Sequence, residues 1–427
     1  MAVPMTPAHD AEPAVTRIAL LSVHTSPLDR PGSGDSGGLN VYVREVATRL
    51  AARGVHVDVF TRRTDRETAD LVTLAPGVDV HHVDAGPPRP LSKDEVANHL
   101  CAFVLALRRH PTAGSHDLVH AHYWLSGWVG RRVAQGWDTP LVQTFHTLAA
   151  LKNATLAPGD VPESPLRVVA ESRIARAADR VLVLTCGEAR LLHRTYGLSG
   201  AKLTVVPAGV DLARFHPAAP GPQRHRAPQL LFAGRLQPLK GPDLAVRILA
   251  EVRRSVPDAR LRIVGDESGS GIGTTGPEQL MALAAQLGVA DGVDLEPALD
   301  QDVLAERYRD ADVVVVPSRS ETFGLVALEA QASGTPVVAA DVPGLEAVVG
   351  NGGTLVSGHD PVDHAAAVVT YLTDSGAAAA ASAAGIAMAR VASWDRSVDC
   401  LLEAYQEIAA AHERREQQGD DFHAVAV

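Results

Sequence analysis

The sequence predicts an α/β protein with two doubly wound, parallel-sheet domains that face each other across a cleft. Short apolar runs alternate with segments of helical period along the whole chain, which is typical of parallel sheets covered on both faces. A proline-rich stretch at residues 217–228 interrupts this alternation and is the predicted linker. The length of 427 residues also exceeds what one core of ordinary size holds.

Residues 17–216 form the predicted first domain. A buried strand at 17–23 leads into a glycine-rich loop and then a helix over 39–53, which Gly54 ends. Residues 1–16 lack the basic and apolar regions of a signal peptide and are expected to be a disordered leader. Further strands are predicted at 55–60, 117–122, 140–145, 180–184 and 203–206.

Residues 229–392 form the predicted second domain, and its alanine-rich stretch 377–390 is helical by propensity. A C-terminal helix over 393–417 is expected to pack back on the first domain, and 418–427 is expected to be a flexible tail. The strands of this domain are predicted at 229–234, 260–265, 293–296, 313–316 and 336–339.

The amino-acid composition argues against nucleic acid and membranes as binding partners. With 46% hydrophobic and 21% charged residues the chain is globular, and its net charge of −11 argues against nucleic acid as a partner. No apolar run reaches the ~18 residues that suggest a membrane span. Cys101, Cys186 and Cys400 lack metal-like spacing, so we expect free thiols in a reducing, cytoplasmic compartment.

Glu321 and Glu329 are predicted at the carboxyl edge of the second sheet. A β-branched run at 312–316 precedes them, and the helical segment 325–332 ends at Ser333-Gly334. One carboxylate therefore lies in a loop at a helix N-terminus and the other lies inside that helix. Acceptor-only groups beside free backbone N–H groups suit a polyhydroxylated anion such as a sugar nucleotide.

Arg235 and Lys240 follow the first strand of the second domain and precede a helix that begins near Pro242. Two cations beside a helix N-terminus favour a diphosphate, because each non-bridging oxygen gains a charge-assisted hydrogen bond. Surface charge alone is the simpler explanation, but the placement at a strand end favours a site.

The glycine-rich loop at residues 32–38 (GSGDSGG) contains the letters of the dinucleotide fingerprint without its spacing. Eight residues, 24–31, separate it from the preceding strand, and the second strand ends in Thr61-Arg-Arg63 instead of an acidic residue. A nicotinamide-dependent oxidoreductase is therefore a distant alternative. We expect a loop whose backbone approaches a diphosphate or a sugar.

Two dyads have the look of metal ligands, namely His120 with His122 and Asp310 with Asp312. Neither has a third ligand at metal-like spacing, so the His pair is expected to line the cleft or to be structural, and the Asp pair is not expected to bind metal. Five other polar residues lie at loop starts or strand ends of the first domain and together suit an anionic second substrate. They are Lys93, Tyr123, His146, Thr147 and Arg167.

These motifs resemble the retaining glycosyltransferases of the GT-B fold, with two Rossmann-like domains, whose second domain carries a Glu-x7-Glu motif. Within them, the chain is similar to the actinobacterial inositol-phosphate group across roughly residues 17–405. The matching segments are 22–27 (SVHTSP), 34–42 (GDSGGLNVY), 91–95 (LSKDE), 122–127 (HYWLSG), 146–153 (HTLAALKN), 232–242 (FAGRLQPLKGP) and 321–336.

The resemblance implies transfer of N-acetylglucosamine from UDP-N-acetylglucosamine to 1D-myo-inositol 3-phosphate, the first step of mycothiol biosynthesis. It implies a homodimer as a further expectation, no cofactor for the chemistry, and a peripheral Mg²⁺ at Tyr308, Arg309, Ala311 and Thr335. The implied catalytic residues are Arg235, Lys240, Glu321 and His146. The implied donor-binding residues are Gly38, Arg235, Lys240, Leu299, Glu321 and Glu329. The implied acceptor-binding residues are His24, Asp35, Ser36, Gly37, Gly38, Leu39, Asn40, Lys93, Tyr123, Thr147 and Arg167.

The chain departs from the family pattern at residues 265–269 (GDESG), where Asp266 and Glu267 replace the usual glycine and proline. Segments 28–30 and 87–90 differ as well. Carboxylates near a donor diphosphate are unfavourable unless they bind a different sugar. A paralogue that uses another nucleotide sugar or acceptor is therefore the nearer alternative, and a non-catalytic nucleotide-binding protein is a further one.

Overall fold

A computed structural model of the protein describes residues 15–32, 36–156, 161–219, 226–267 and 276–424. Residues 1–14 of the predicted leader, Asp35 and residues 220–225 of the predicted linker lie outside the described residues. Within the described ranges, no helix has both the length and the apolarity that crossing a bilayer requires.

The first sheet contains eight strands within the described residues. They are β1 (Arg17–Leu21), β2 (His56–Arg62), β3 (Leu71–Ala75), β4 (Val78–Val83), β5 (Leu118–His122), β6 (Leu141–Thr144), β7 (Arg180–Val183) and β8 (Leu203–Val205). Their spatial order is β3–β4–β2–β1–β5–β6–β7–β8, and β3 alone pairs antiparallel in it. Along β1, Ile18 and Leu20 join one buried cluster while Ala19 and Leu21 join another, so apolar cores cover both faces of this sheet.

Helices follow most of these strands and supply those cores. They are α1 (Gly38–Ala51), α2 (Lys93–Ala97), α3 (Leu100–Arg108), α4 (Tyr123–Trp137), α5 (Ala149–Ala154), α6 (Pro165–Ala177) and α7 (Cys186–Tyr196). The starts of α6 and α7 are set by Ser164 and Thr185, whose side chains accept hydrogen bonds from backbone N–H groups of the first turn.

The second sheet is fully parallel among the described residues. Its strands are β9 (Gln229–Ala233), β10 (Arg260–Val264), β11 (Val293–Glu296), β12 (Val313–Val316), β13 (Val337–Ala340) and β14 (Gly353–Val356). The spatial order β11–β10–β9–β12–β13–β14 is the doubly wound order, in which the chain changes direction between β9 and β12. Ligands of such sheets bind outside the carboxyl ends of the strands at this switch point.

The second domain has its own set of helices. They are α8 (Pro242–Val252), α9 (Pro277–Gln286), α10 (Gln301–Asp310), α11 (Leu325–Ala332), α12 (Pro343–Val349), α13 (Pro361–Thr373) and α14 (Ser375–Val391). The predicted fold class, two doubly wound parallel-sheet domains, is thus confirmed.

The last helix, α15 (Trp394–Ala424), returns to the first domain and packs along α1. The Tyr405 hydroxyl lies 2.6 Å from Nδ1 of His120, and the Trp394 ring meets Tyr42 edge-on at 5.6 Å. This helix continues beyond residue 417, where its end was predicted.

Three strands were missed from the sequence, namely β3, β4 and β14. Residues 71–83 form a hairpin, and Gly77 at φ +80° makes its turn. Strand β3 is short and largely exposed at the sheet edge, so it lacks the continuous apolar run of a buried parallel strand. The predicted parallel sheet therefore carries one antiparallel strand, β3, at this edge.

Candidate active site

The carboxyl edges of the two sheets face each other across the cleft. Arg235 and Lys240 follow β9 and Glu321 follows β12, at the switch point of the second sheet. On the other side His146 follows β6, and its carbonyl accepts a hydrogen bond from Oγ1 of Thr322. Polar groups of both domains therefore meet in one place, as a two-substrate site requires.

Lys240 and Glu321 form an ion pair, with Nζ 2.5 Å from Oε1. Ser318 donates its hydroxyl to the same carboxylate oxygen at 3.0 Å. Both side chains are mostly buried, since 24% of Lys240 and 15% of Glu321 remains exposed. The structure thus brings together the predicted phosphate-binding cation and the predicted sugar-binding carboxylate.

The turn that carries Lys240 depends on Gly241, which has φ +71°. A Cβ at this position would lie 2.6 Å from the Pro317 carbonyl oxygen, so a side chain is excluded by contact as well as by conformation. The Arg235 side chain reaches the first domain: a Cβ placed on Gly37 would lie 3.5 Å from its Nε. The predicted diphosphate cation therefore lies against the glycine-rich loop.

Glu329 is buried on α11 and accepts a hydrogen bond from the Tyr308 hydroxyl at 2.9 Å. Burial raises the pKa of Glu329 to about 7, although the bond from Tyr308 opposes that shift. The ionised form of Glu329 has acceptor oxygens only, so it is the form that accepts hydrogen bonds from hydroxyl groups. Its contact with a ribose diol stays a prediction.

Asp266 has a role within the protein itself. Its Oδ1 accepts a hydrogen bond from the backbone N–H of Ala298 at 3.0 Å, next to Leu299, the predicted base contact. The carboxylate of Glu267 lies against Gly276, where it would clash with any Cβ. Both added acids thus contact loops of their own domain.

The four residues predicted to bind Mg²⁺ lie together at the end of α10. The hydroxyl of Thr335 donates to the Tyr308 carbonyl at 2.6 Å, and the backbone N–H of Ala311 also bonds that carbonyl at 3.2 Å. Arg309 donates from Nη1 to the Arg214 carbonyl at 3.3 Å. These oxygens are hard ligands of the kind Mg²⁺ accepts, without a carboxylate among them.

Asp310 and Asp312 contact the start of the second domain. Asp312 accepts from the Gln229 backbone N–H at 2.7 Å and pairs with Arg226 at 2.9 Å. The carbonyl of Asp310 accepts from the same arginine. These contacts fasten the start of β9 beside β12.

The loop before α1 is held by side chains that were predicted to bind the acceptor. The amide of Asn40 donates to Thr25 Oγ1 and to the Ser26 carbonyl, both at 2.6 Å, while its Oδ1 accepts from the Gly37 N–H. The hydroxyl of Ser36 lies 3.2 Å from that of Thr25. Asn40 is therefore buried and shapes the loop, and its own polar atoms are engaged.

Gly38 and Leu39 lie at the start of α1, near the second domain. A Cβ on Gly38 would be 3.4 Å from Cδ1 of Leu325, so the loop and the N-terminus of α11 are in close approach. Leu39 is partly buried against both cores of the first domain. Asp35, also predicted to bind the acceptor, lies outside the described residues.

Tyr123 is the centre of the predicted acceptor group. It has φ +74°, an unusual conformation for a residue other than glycine, at the junction of β5 and α4. The ring lies 4.5 Å from that of His24, 4.8 Å from the guanidinium of Arg167 and 5.9 Å from Nζ of Lys93. Two cations and an imidazole thus surround the Tyr123 ring.

Arg167 is held rigidly. Its Nε donates to Glu171 at 2.7 Å, Nη1 pairs with Glu163 at 2.9 Å, and Nη2 donates to the hydroxyl and carbonyl of Thr147 at 3.0 and 3.1 Å. Burial alone would lower the pKa of Arg167, but the neighbouring Tyr123 and carboxylates raise it above its usual value. The guanidinium therefore stays charged and in one orientation.

His146 has a left-handed backbone with φ +60°, and its Nε2 lies 3.0 Å from Nδ1 of His122. Burial lowers the pKa of His146 to about 3, so the ring is neutral near pH 7. His120 lies between Tyr405 and Thr144, at 2.6 and 2.9 Å. The His120–His122 pair is thus interior structure, one of the two expectations for it.

Sequence reasoning missed Thr322, Glu163 and Glu171. The signal for Thr322 was its position directly after Glu321, and Glu171 lies one helical turn after Arg167. The group of metal-ligand residues found in the described part of the chain is His56, Asp58 and Asp79, at the amino ends of β2 and β4 and away from the site.

Two family descriptions match the chain and together cover most of both domains. "Glycosyl transferase 4-like domain" matches residues 37–209, and "Glycosyl transferases group 1" matches residues 219–388. Among solved structures, a sucrose-phosphate synthase from Thermosynechococcus elongatus superposes with a TM-score of 0.84 at 30% identity, covering 93% of this chain and 100% of that one. HepE from Anabaena, solved with UDP and glucose, has a TM-score of 0.68 at 20% identity, with 93% and 99% covered, and shows the fold alone.

Curated relatives are similar over nearly the whole length. The D-inositol 3-phosphate glycosyltransferase of Acidothermus cellulolyticus is 50% identical over 414 residues, covering 93% of this chain and 91% of that protein. The protein of the same name from Thermomonospora curvata is 49% identical, with 92% and 95% covered. The glycine-rich loop, the Lys240–Glu321 pair and the Arg167 pocket lie within these matches, and the chain belongs to the D-inositol 3-phosphate glycosyltransferase family of GT-B enzymes.

Proposed function

We propose that the protein transfers N-acetylglucosamine from UDP-N-acetylglucosamine to 1D-myo-inositol 3-phosphate with retention, the first step of mycothiol biosynthesis. The observation that carries this proposal is the cluster of Lys93, Tyr123, Thr147 and Arg167, whose two cations suit an acceptor phosphate. The names of the relatives at 46–50% identity agree with it.

The donor side supplies charge where the reaction develops it. When the bond between the sugar C1 and the diphosphate oxygen breaks, negative charge grows on the leaving diphosphate. Arg235 and Lys240 stabilise that charge. Glu321 orients Lys240 through their ion pair and accepts hydrogen bonds from sugar hydroxyls.

The acceptor hydroxyl attacks C1 from the face that the diphosphate leaves, which preserves the configuration. The new bond joins the acceptor oxygen to C1, and the hydroxyl proton passes to a leaving phosphate oxygen. The His146 imidazole is a weak base for this step, since burial lowers its pKa to about 3 and a general base works best near the operating pH. We therefore propose that His146 contributes to the site through its backbone carbonyl, which accepts the hydrogen bond from Thr322, and not through its imidazole.

The paralogue alternative rested on Asp266 and Glu267 and on the departures at residues 28–30 and 87–90. Asp266 bonds the Ala298 N–H and Glu267 lies against Gly276, so neither position favours a second function. We further propose a cytoplasmic location, supported by three free cysteines, and a homodimer. The Tyr308 carbonyl already accepts hydrogen bonds from Thr335 and Ala311, so a peripheral Mg²⁺ at these residues, without a part in the chemistry, stays a prediction.

The test is release of UDP from a panel of nucleotide sugars, with and without inositol 3-phosphate. We expect UDP-N-acetylglucosamine to be consumed only when the acceptor is present, with a product of retained configuration by NMR. Consumption of another nucleotide sugar alone would establish the paralogue, and consumption of none would overturn the proposed activity.

A further inference from the structure

Thr322 and His146 form a hydrogen bond between the two domains, with the Thr322 hydroxyl donating to the His146 carbonyl. Each residue is the sequence neighbour of a site residue. Glu321 on the donor side precedes Thr322, and Thr147 on the acceptor side follows His146. The bond therefore joins the residue next to Glu321, on the donor side, to the residue next to Thr147, on the acceptor side.

The acceptor end of this link is rigid. His146 has φ +60°, and its ring is fixed by Nδ1 of His122 at 3.0 Å and by the edge of the Tyr42 ring, with centroids 5.1 Å apart. The next residue, Thr147, accepts two hydrogen bonds from Arg167. Movement of the His146 carbonyl thus moves a partner of the phosphate-binding guanidinium.

The donor end is equally constrained. A Cβ on Gly344 would lie 2.4 Å from the Glu321 carbonyl oxygen and 2.7 Å from the Thr322 carbonyl carbon, so the start of α12 packs directly on this backbone. Pro343 of the same helix in turn contacts Gly187 of α7, with 3.6 Å to a Cβ there. The hydroxyl of Thr322 is consequently held in reach of the first domain while Glu321 binds Lys240.

We propose that Thr322 is a positioning residue that couples occupancy of the donor pocket to affinity of the acceptor pocket. The proposal rests on the proposed function, because it assumes a nucleotide on one side and a phosphorylated polyol on the other. A nucleotide diphosphate that binds Lys240 competes with the Lys240–Glu321 ion pair and so acts on the 321–322 backbone. The Thr322 hydroxyl then holds the His146–Thr147 peptide in the position that presents Arg167 to the acceptor phosphate.

The experiment measures the Kd of inositol 3-phosphate by calorimetry with and without saturating UDP. Coupling between sites is commonly about 5- to 150-fold in affinity, and we expect UDP to tighten acceptor binding at least about 5-fold in the wild type. Thr322→Val keeps the shape without the hydroxyl, so this tightening should fall below about 2-fold. Thr322→Ser keeps the hydroxyl and should restore it.

Thr354→Val is the matched control, because it removes a threonine hydroxyl bond to Tyr371 in the same domain, away from the cleft. It should keep the wild-type coupling. If Thr322→Val does not fold by circular dichroism, Thr322→Ala takes its place in the same titration.

The outcomes separate the two proposals. Failure of UDP or inositol 3-phosphate to bind the wild type would refute the proposed function. If both ligands bind and UDP tightens the acceptor equally in wild type and Thr322→Val, the coupling role is wrong while the function stands.

Discussion

Tyr308 donates its hydroxyl to Glu329 at 2.9 Å, and the two groups are buried together between α10 and α11. Since burial raises the pKa of Glu329 to about 7, the residue changes charge near neutral pH. A ribose diol donates hydrogen bonds, so nucleotide binding favours the ionised carboxylate.

Affinity for UDP should therefore increase with pH through Glu329. A group with a pKa near 7 is about 10% ionised at pH 6 and about 90% at pH 8, so the Kd should fall by up to about tenfold. Calorimetry at both pH values measures this. Glu329→Gln is the control, because titration of the UDP phosphates affects both proteins alike. An equal pH dependence in the two proteins would contradict the assignment.

The stability of the ligand-free protein should change with pH in the opposite direction and decrease as the pH rises. A folded pKa raised above its unfolded value near 4.3 means that the native state binds the extra proton, and stability is lost as pH rises from about 4 to about 7. Above pH 7, Glu329→Gln should therefore unfold at a higher temperature than the wild type. Scanning calorimetry at pH 5 and pH 8 checks the sign.

Lys240→Ala should raise the barrier by about 2–4 kcal/mol, the usual effect of losing one electrostatic partner of a developing charge. This is a fall in kcat of roughly 30- to 900-fold. Lys202→Ala is a suitable control, since Lys202 bonds the carbonyls of Arg176 and Ala178 outside the cleft. Near-normal turnover in Lys240→Ala would remove this residue from the mechanism.

Glu171→Gln should weaken acceptor binding without changing donor binding. The variant keeps acceptors for Tyr196 and Ala149 but loses the charge that orients Arg167. Losing one charged hydrogen bond costs about 1.5–3 kcal/mol, so the acceptor KM should rise about tenfold or more. Steady-state kinetics with each substrate varied tests this, with exposed Glu306→Gln as the control. A change in donor KM alone would count against the positioning role.

Asp58 should be a main source of stability of the first domain. Although burial opposes the shift, hydrogen bonds from His116, His81 and Arg17 hold the pKa of Asp58 well below its usual range. Its contribution is present above about pH 4 and is lost as pH falls further.

Asp58→Asn should thus lower the free energy of unfolding by about 3 kcal/mol near pH 7, because a buried ion pair is broken. Asp79→Asn, at a more exposed site facing the same strand, should cost less than about 1 kcal/mol. Urea denaturation compares the two, and equal losses would contradict the central role of Asp58.

Much of the donor site could be predicted from the sequence because its signals are local. Helix α11 begins and ends where predicted, since Gly324 at φ +95° and the Ser333-Gly334 stop fix both ends. Arg235 and Lys240 likewise follow a recognisable strand. Because the carboxyl ends of parallel strands meet at one edge of the sheet, residues far apart in sequence can be placed together once the strand order is known.

The contacts that join the two pockets could not be predicted in this way. Thr322 and His146 are 176 positions apart, and their bond depends on how two separately folded sheets approach each other. Arg167 was recognised as a cation, but the buried Glu171 that orients it resembled an ordinary polar residue of a helix. Hairpin β3–β4 was missed because its strands are short and partly exposed.

The return of α15 to the first domain makes the second domain an insertion within the first. The chain leaves and re-enters at one point, where Val210 pairs in parallel with Ser393 and the Gly209 backbone touches Trp394. A Cβ on Gly209 would lie 2.2 Å from the Trp394 nitrogen, so this double crossing has no room for a side chain. Any opening of the cleft must therefore pivot about these two neighbouring backbone segments. A fragment that stops before residue 394 would lack α15, which packs against α1 of the first domain.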